Sequence, residues 1–164
     1  MVLLATKLRD LSFSSLMTVY EEGNRENAAA NWPHLDEQEG MIQTEQEFYQ
    51  YLKQVFFPTE NARYCILVEQ GSYVSALRLE PYRDGLLLEA LETAPGQRRK
   101  GYAAKLIRSI QEQLTGITIY SHVSKKNLAS LKTHESCGFT RIAENAVYAD
   151  GSVTDRSYTL CWRG

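Results

Sequence analysis

Hydrophobic residues in the first third of the chain recur with the spacing of amphipathic helices. Four of them fall on one face of a first predicted helix: Phe13, Leu16, Met17 and Tyr20. Asp10 or Ser12 is available to cap the N-terminus of this helix. A second helix, rich in alanine, is predicted to break at Trp32-Pro33, with an acidic loop after it. The short segment VLLA before the first helix is predicted to be an edge strand.

A third helix is predicted within the segment TEQEFYQYLKQVFF. Thr44 and Glu47 have the spacing of a capping box, which favours a helix start at Thr44. An apolar stripe follows at helical spacing: Phe48, Leu52, Val55 and Phe56. Pro58 cannot continue a helix, so the helix is expected to end before it.

In the middle of the chain the pattern changes to that of strands. YCILVEQGSYVSALRLE predicts a hairpin that turns near Gly71, and GLLLEALETAP predicts a central strand that Pro95 ends. An amphipathic helix is predicted from Gly101 onward. Its apolar positions are Ala103, Leu106, Ile107, Ile110 and Leu114. GITIYSHV is predicted to be the next strand.

The last third of the chain predicts one more helix and a hairpin. SKKNLASLKTHESCGF is predicted to be a helix that Gly138 ends with a left-handed cap. TRIAENAVYADGSVTDRSYTLCW is predicted to be a hairpin that turns at Asp150-Gly151. The order of all elements predicts a mixed α/β fold in a single domain, residues 1–164. One parallel strand pair is expected where the central helix crosses over.

Composition narrows the class of protein. The chain is 43% hydrophobic and 23% charged, as in ordinary folded domains. Its 18 basic residues face 20 acidic ones, which does not favour nucleic-acid binding because such domains are usually basic. The three cysteines are far apart and lack metal-binding spacing, so free thiols and no metal site are expected. No apolar run has the length of a signal peptide or of a membrane span, which predicts a cytoplasmic protein without a membrane partner.

Three consecutive basic residues, Arg98, Arg99 and Lys100, stand directly before Gly101 in this slightly acidic chain. The turn lies between a predicted strand and a predicted helix. A helix N-terminus presents N–H groups without partners and a partial positive charge, and phosphate is its usual anion. Gly101 and Ala103 would let a ligand approach the backbone closely. Taken alone, the turn is equally consistent with a solvated basic loop.

Two segments resemble motifs of the GNAT superfamily, the acyl-CoA-dependent N-acetyltransferases. Residues 97–103, QRRKGYA, resemble its pyrophosphate-binding signature, Arg/Gln-x-x-Gly-x-Gly/Ala. Residues 127–139, NLASLKTHESCGF, resemble its later helix. The resemblance covers roughly residues 60–162, and the first sixty residues fit as the variable helices of the family. It implies a GNAT-like fold, in which helices flank a mostly antiparallel sheet with a splayed parallel pair.

The resemblance also implies acetyl-CoA as co-substrate and a set of residues that bind it. In the family, backbone N–H groups of the signature hold the pyrophosphate. Here these belong to Arg98, Arg99, Lys100, Gly101, Tyr102 and Ala103. The strand before the signature pairs with the pantetheine arm, a role that falls on Leu91, Glu92 and Thr93. Ordinary sheet pairing is the alternative for these three. Asn127 is a further expected coenzyme contact.

Transfer of an acyl group to an amine needs a base, because the amine arrives mostly protonated. The family commonly uses a strand glutamate, and Glu89 has that position; the alternative is an ion pair with a neighbouring basic side chain. In a regular strand Glu92 would point to the opposite face, and a bulge would undo this. The oxyanion needs a donor, which a backbone N–H near Leu91 could supply.

The thiolate that leaves needs a proton, which family members often take from a tyrosine on the later helix. This sequence has His134 at that position, four residues before Gly138. His134 is expected either to protonate the thiolate or to contact the coenzyme. Tyr148 and His122 are further candidates.

The sequence does not define the acceptor amine. Residues 21–40 are expected to form part of its wall, and the acidic stretches YEEG and LDEQEG suit a cationic amine or simply a solvated surface. The predicted function is N-acetyltransfer to a primary amine of a small molecule or peptide. The alternative is an acyl-CoA-binding sensor with little catalysis. The acyl length, and the choice between monomer and homodimer, stay open.

Overall fold

A seven-stranded mixed sheet forms the centre of the molecule, and helices cover both of its faces. The structure is a computed structural model that describes all residues, 1–164. The helices are α1 (Phe13–Val19), α2 (Glu21–Asn31), α3 (Glu37–Tyr51), α4 (Tyr102–Gln113) and α5 (Leu128–Ser136). The strands are β1 (Val2–Ala5), β2 (Arg63–Glu69), β3 (Ser72–Tyr82), β4 (Gly85–Thr93), β5 (Thr118–Ser124), β6 (Thr140–Ala143), β7 (Ala146–Val147), β8 (Val153–Thr154) and β9 (Ser157–Arg163).

The strands follow the order β1-β2-β3-β4-β5-β9-β6 across the sheet, and β7 and β8 form a separate small ribbon. Every neighbouring pair is antiparallel except β4–β5, which α4 connects as a crossover. The mixed sheet with one parallel pair confirms the predicted fold class. No helix in the structure combines the length and the apolar composition needed to cross a bilayer.

Two apolar layers hold the helices onto the sheet. On one face, the predicted apolar stripe of α4 packs Leu106, Ile107 and Ile110 against strand residues such as Leu77 and Leu88. On the other face, α1 and the π-helical turn at Leu52–Phe56, which continues α3, pack against β2 and β3. The prediction of an amphipathic central helix is thereby confirmed, since these three side chains are almost completely buried.

The predicted start of α3 at Thr44 is wrong. The helix begins at Glu37, inside the segment expected to be an acidic loop, and Asp36 caps it by accepting a hydrogen bond from the Glu39 N–H at 2.8 Å. Thr44 lies in the middle of the helix, where its hydroxyl donates to the Gly40 carbonyl. Asp36 and Glu39 have the same spacing further upstream, and the chain uses Asp36 as the N-cap.

The C-terminal hairpin is more elaborate than predicted. The predicted turn at Asp150-Gly151 is present, with Gly151 at a φ of 85°, but it closes the small β7–β8 ribbon. The two strands that precede and follow this ribbon in sequence, β6 and β9, pair with each other. Because β9 also pairs with β5 along its whole length, it lies inside the sheet and β6 forms the edge.

Strands β4 and β5 separate after a short contact. Their pairing runs only from Leu86 opposite Ile119 to Leu88 opposite Ser121. Just beyond this point β4 contains a bulge, where Ala90 has a φ of 54° and the register against β3 shifts by one residue. The two strands therefore leave a gap between the ends of β4 and β5.

Candidate functional site

A large cavity of about 630 Å³ opens beside the separated end of β4. Its walls come from α2, β4, the basic turn, α4 and α5. Nine of the residues expected to bind the coenzyme line it: Leu91, Glu92, Thr93, Arg98, Arg99, Gly101, Tyr102, Ala103 and Asn127. Lys100 is not among the lining residues; its ammonium group donates to the side-chain carbonyl of Gln97 at 2.9 Å.

The N-terminus of α4 faces this cavity. The first helical hydrogen bond runs from the Lys105 N–H to the Gly101 carbonyl at 3.0 Å, so the N–H groups of the preceding residues have no partner inside the helix. Gly101 has a φ of 76°, and a Cβ atom there would meet no atom within 4 Å. Gly101 is therefore required by the left-handed backbone conformation and not by a lack of space. The N–H groups at this helix start can bind an anion.

The Arg98 side chain turns toward acidic residues beside the cavity. Its guanidinium lies 2.8 Å from a Glu22 carboxylate oxygen and 3.8 Å from one of Glu92, and its Nε donates to the Thr93 carbonyl at 3.4 Å. Arg98 thus ties α2 to the end of β4. Burial raises the pKa of Glu92, and the charge of Arg98 opposes this rise.

The backbone of β4 beyond Leu88 has no strand partner on the side of β5. An extended ligand can pair with such a free edge as an added strand would. The edge and the N-terminus of α4 both border the large cavity. The arrangement therefore fits a long ligand that carries phosphate at one end and an extended polar arm at the other.

A smaller cleft of about 170 Å³ lies in the gap between β4 and β5. It brings together both predicted catalytic residues, Glu89 and His134, with Ser121, His122 and Asn127. Tyr148 does not line this cleft but packs edge-on against the ring of His122, at 5.1 Å between centroids.

Glu89 is the titratable carboxylate of the cleft. One of its oxygens is buried without a hydrogen-bond partner and lies 3.9 Å from Nε of Arg78. Burial raises the pKa of Glu89 to about 7, against the lowering effect of Arg78 and with a smaller contribution from Glu80. The alternative, an ion pair with a neighbouring basic side chain, is thus present as the Arg78–Glu89 pair, which forms without a hydrogen bond.

The bulge at Ala90 changes the orientation of the strand. Glu89 pairs with Arg78 and Glu92 pairs with Ala76, and these two partners are two residues apart on β3. Glu89 and Glu92 therefore lie on the same face of the sheet, and the expectation for a regular strand does not hold.

His134 is buried, with both ring nitrogens engaged. Nδ1 lies 2.8 Å from the Ser130 carbonyl and Nε2 lies 2.9 Å from the Ser121 hydroxyl. A carbonyl only accepts, so these partners assign the proton to Nδ1 and make Nε2 the acceptor from Ser121. Burial lowers the pKa of His134, and the bond to Ser130 opposes this. The imidazole is neutral and holds the Ser121 hydroxyl at the cleft.

His122 differs from His134 because its Nδ1 is buried without a partner. Its Nε2 lies 3.4 Å from the Tyr82 hydroxyl. Burial lowers the pKa of His122, and the nearby charge of Arg83 adds to this effect. A neutral imidazole with one free nitrogen therefore lies beside Glu89 in the cleft.

Several residues at the site could not be found by sequence reasoning. Arg78 stacks on the Tyr51 ring and faces Glu89, and Tyr20 donates a hydrogen bond to the Ala90 carbonyl at 2.6 Å. Ser121 meets His134 only because α5 lies over β5. None of these residues belongs to a motif, and only the strand register and the helix packing reveal them.

Taken together, the helix start that can bind an anion, the free strand edge and the titratable cleft fit a transferase that uses an extended phosphorylated co-substrate. The sequence profile of the acetyltransferase (GNAT) family matches residues 20–139, which is most of the chain. The chain therefore belongs to this family and is an acetyltransferase that uses acetyl-CoA as co-substrate. A search of curated protein sequences finds no significant match.

Solved structures with the same fold include three enzymes. PaiA N-acetyltransferase from Thermoplasma acidophilum, in complex with coenzyme A, is 13% identical with a TM-score of 0.63 over 100% of this chain and 99% of its own. Aminoglycoside acetyltransferase AAC(6')-Ib, with coenzyme A and kanamycin, is 19% identical with a TM-score of 0.63 over 99% and 95%. Spermidine N-acetyltransferase from Vibrio cholerae, with coenzyme A and spermine, is 16% identical with a TM-score of 0.61 over 99% and 95%. At these identities the likeness concerns the fold.

Proposed function

We propose that the protein moves the acetyl group of acetyl-CoA to a primary amine of a small molecule or peptide, with Glu89 as the general base. The observation that carries this proposal is a partly buried carboxylate, with one oxygen out of contact with solvent and a pKa of about 7, in the gap between β4 and β5. A base with a pKa near neutral accepts a proton from the ammonium form of the acceptor and releases it again to solvent.

Coenzyme binding is assigned to the large cavity. The N–H groups at the start of α4, around Gly101, hold the pyrophosphate, and Arg99 and Lys100 add positive charge near it. The free edge of β4 at 91–93 pairs with the pantetheine arm, and Asn127, which lines both the cavity and the cleft, contacts the coenzyme between them. This arrangement directs the thioester toward Glu89.

The proposed reaction needs no reactant other than acetyl-CoA and the amine. Once Glu89 has taken a proton from the ammonium group, the amine nitrogen attacks the thioester carbonyl and a C–N bond forms. The Leu91 N–H stabilises the oxyanion, and the C–S bond breaks as the carbonyl forms again. The coenzyme leaves as a thiolate that takes a proton from the site or from water. His134 is assigned to the leaving-group side, where it orients the Ser121 hydroxyl.

The carboxylates beside the cleft favour a cationic acceptor. Glu80 lies next to Glu89, and Glu26 of α2 adds a negative charge at the rim of the large cavity, where Glu22 and Glu92 are already paired with Arg98. Carboxylates at a site attract cations and raise their local concentration. Two of the similar enzymes were crystallised with the amines kanamycin and spermine, which supports an amine as the acceptor class.

The direct test is release of free thiol from acetyl-CoA in the presence of an amine panel. Polyamines, aminoglycosides and peptides with free N-termini cover the proposed class. We expect turnover with at least one cationic amine and a strong loss of it in Glu89→Gln. Tight binding of acetyl-CoA with no turnover across the panel would contradict the proposal and favour an acyl-CoA sensor.

A further inference from the structure

The hydroxyl of Tyr20 makes a single long-range contact with the strand that borders the site. Tyr20 is the residue between α1 and α2, and its side chain is buried among the rings of Phe48 and Tyr64. Its hydroxyl donates a 2.6 Å hydrogen bond to the backbone carbonyl of Ala90. Burial raises the pKa of Tyr20 well above its usual value, so the hydroxyl stays protonated and remains a donor.

Ala90 is the strained residue of the β4 bulge. Its φ of 54° lies in the left-handed region, which alanine rarely adopts because its Cβ crowds the carbonyl that follows. The strand on one side, β3, accommodates the bulge by a register shift between Ala76 and Arg78. On the other side β5 has already separated and gives no support. The bond from Tyr20 is therefore a tertiary restraint on this peptide that comes from outside the sheet.

The orientation of this one peptide decides where the next N–H points. The Ala90–Leu91 bond is trans, so the Ala90 carbonyl and the Leu91 N–H point in opposite directions. With the carbonyl held toward Tyr20, the Leu91 N–H points away from α1 and α2. Leu91 lines both the large cavity and the cleft. Its N–H is the group assigned above to the oxyanion of the reaction.

We propose that Tyr20 is a positioning residue for acetyl transfer, because its hydroxyl fixes the Ala90–Leu91 peptide and so aims the Leu91 N–H at the thioester carbonyl. This inference rests on the proposed function. A donor that is already oriented costs no reorganisation when charge develops on the carbonyl oxygen. Without the restraint, the strained Ala90–Leu91 peptide can rotate. The oxyanion of the transition state then loses the Leu91 N–H as its donor, whereas the binding of acetyl-CoA is unchanged.

The kinetic test compares Tyr20→Phe with Tyr64→Phe. Both substitutions remove one buried hydroxyl from the same aromatic cluster, but only the Tyr20 hydroxyl donates to the Ala90 carbonyl. With the amine that the wild-type protein acetylates fastest, we expect kcat of Tyr20→Phe to fall about tenfold or more, by comparison with direct removal of an oxyanion donor. The KM for acetyl-CoA and the pH profile should stay unchanged, and Tyr64→Phe should keep the wild-type kcat.

A spectroscopic test does not depend on turnover. The ¹³C resonance of the Ala90 carbonyl and the ¹⁵N resonance of the Leu91 amide report on this peptide and its hydrogen bond. We expect both signals to move in Tyr20→Phe and to stay in place in Tyr64→Phe, while the rest of the spectrum shows a folded protein. A slowly exchanging Tyr20 hydroxyl proton in the wild-type protein provides the same evidence without any substitution.

The outcomes separate this inference from the proposed function. If the wild-type protein acetylates no amine, the proposed function fails, whereas the resonances still report on the restraint. Wild-type kcat in Tyr20→Phe, an equal loss in Tyr64→Phe, or unchanged Ala90 and Leu91 resonances would each overturn the role of Tyr20. A fall in kcat together with a large rise in KM for acetyl-CoA would also overturn it, because such a change indicates a damaged coenzyme site.

Discussion

Glu89 carries the clearest prediction for a single residue. Because burial raises its pKa to about 7, the carboxylate loses its proton as the pH rises through neutrality. We expect kcat/KM to increase with pH up to about 7 and then to level off. Glu89→Gln should lower kcat/KM about a hundredfold or more and remove this dependence. Steady-state rates between pH 5.5 and 9 provide the measurement.

The acceptor titrates as well, so two amines of different pKa are needed. The rise that belongs to Glu89 should keep its midpoint with both amines, whereas a rise that belongs to the acceptor should follow the pKa of the amine. A midpoint that moves with the amine would show that another group is the base.

His134 makes a prediction about stability. Its folded-state pKa is lowered, so the neutral form is favoured on folding, and this stabilising contribution is present above the unfolded pKa of about 6.5. The contribution is lost as the pH falls through the folded-state pKa. His134→Leu leaves the Ser121 hydroxyl without its partner and should lower the free energy of unfolding by about 1–3 kcal/mol at pH 8.

Urea denaturation at several pH values checks this. The difference between wild-type protein and His134→Leu should be largest above pH 6.5 and should become smaller on acidification. Other titrating groups are common to both proteins and cancel in the difference. A constant difference over the whole range would mean that His134 is not held neutral in the folded state.

At the scale of elements, helix α4 offers a matched pair of glycines. Gly101 at its start and Gly116 after its end both have a left-handed φ, 76° and 81°, and open space around the missing Cβ. Glutamate at either position should cost about 1–2 kcal/mol of unfolding free energy through the same backbone strain. Only Gly101→Glu places a negative charge at the anion-binding end of the helix.

Coenzyme binding should therefore distinguish the two variants. We expect Gly101→Glu to weaken acetyl-CoA binding by about a hundredfold or more, since it combines charge repulsion with bulk at the N–H groups. Gly116→Glu should bind like the wild-type protein. Titration calorimetry gives both affinities, and equal affinities in the two variants would contradict the assignment of the cavity.

For the molecule as a whole, we expect bound coenzyme to fill the gap between β4 and β5. We expect coenzyme A at a hundred times its dissociation constant to slow amide hydrogen exchange up to about a hundredfold at residues 89–93 and 102–105. These residues form the free edge of β4 and the start of α4. The edge strand β1, on the far side of the sheet, provides the internal control. Uniform protection of the whole chain would instead indicate general stabilisation.

Most of the elements could be predicted from the sequence, and most of the residues expected to bind the coenzyme line one cavity. Helical spacing identified α1 and α4, and the left-handed Gly71 and Gly151 formed the predicted turns. The basic turn before Gly101 borders the large cavity. These features depend on residues that are close in sequence, so their physical cause can be read along the chain. The start of α3 was predicted wrongly because two candidate N-caps, Asp36 and Thr44, both precede helix-forming residues.

Only the tertiary structure decided how the site is built. The bulge at Ala90 places Glu89 and Glu92 on one face, and the packing of the helices brings Tyr20 to β4 and His134 to Ser121. The orientation of Glu92 depends on the register against β3, which the one extra residue of the bulge shifts, and the contacts of Tyr20 and His134 join residues 70 and 13 positions apart. The sequence alone determined most of the elements and the basic turn before α4, because local sterics and periodicity govern them. The orientation of catalytic groups depended on pairing between distant strands, which no local pattern encodes.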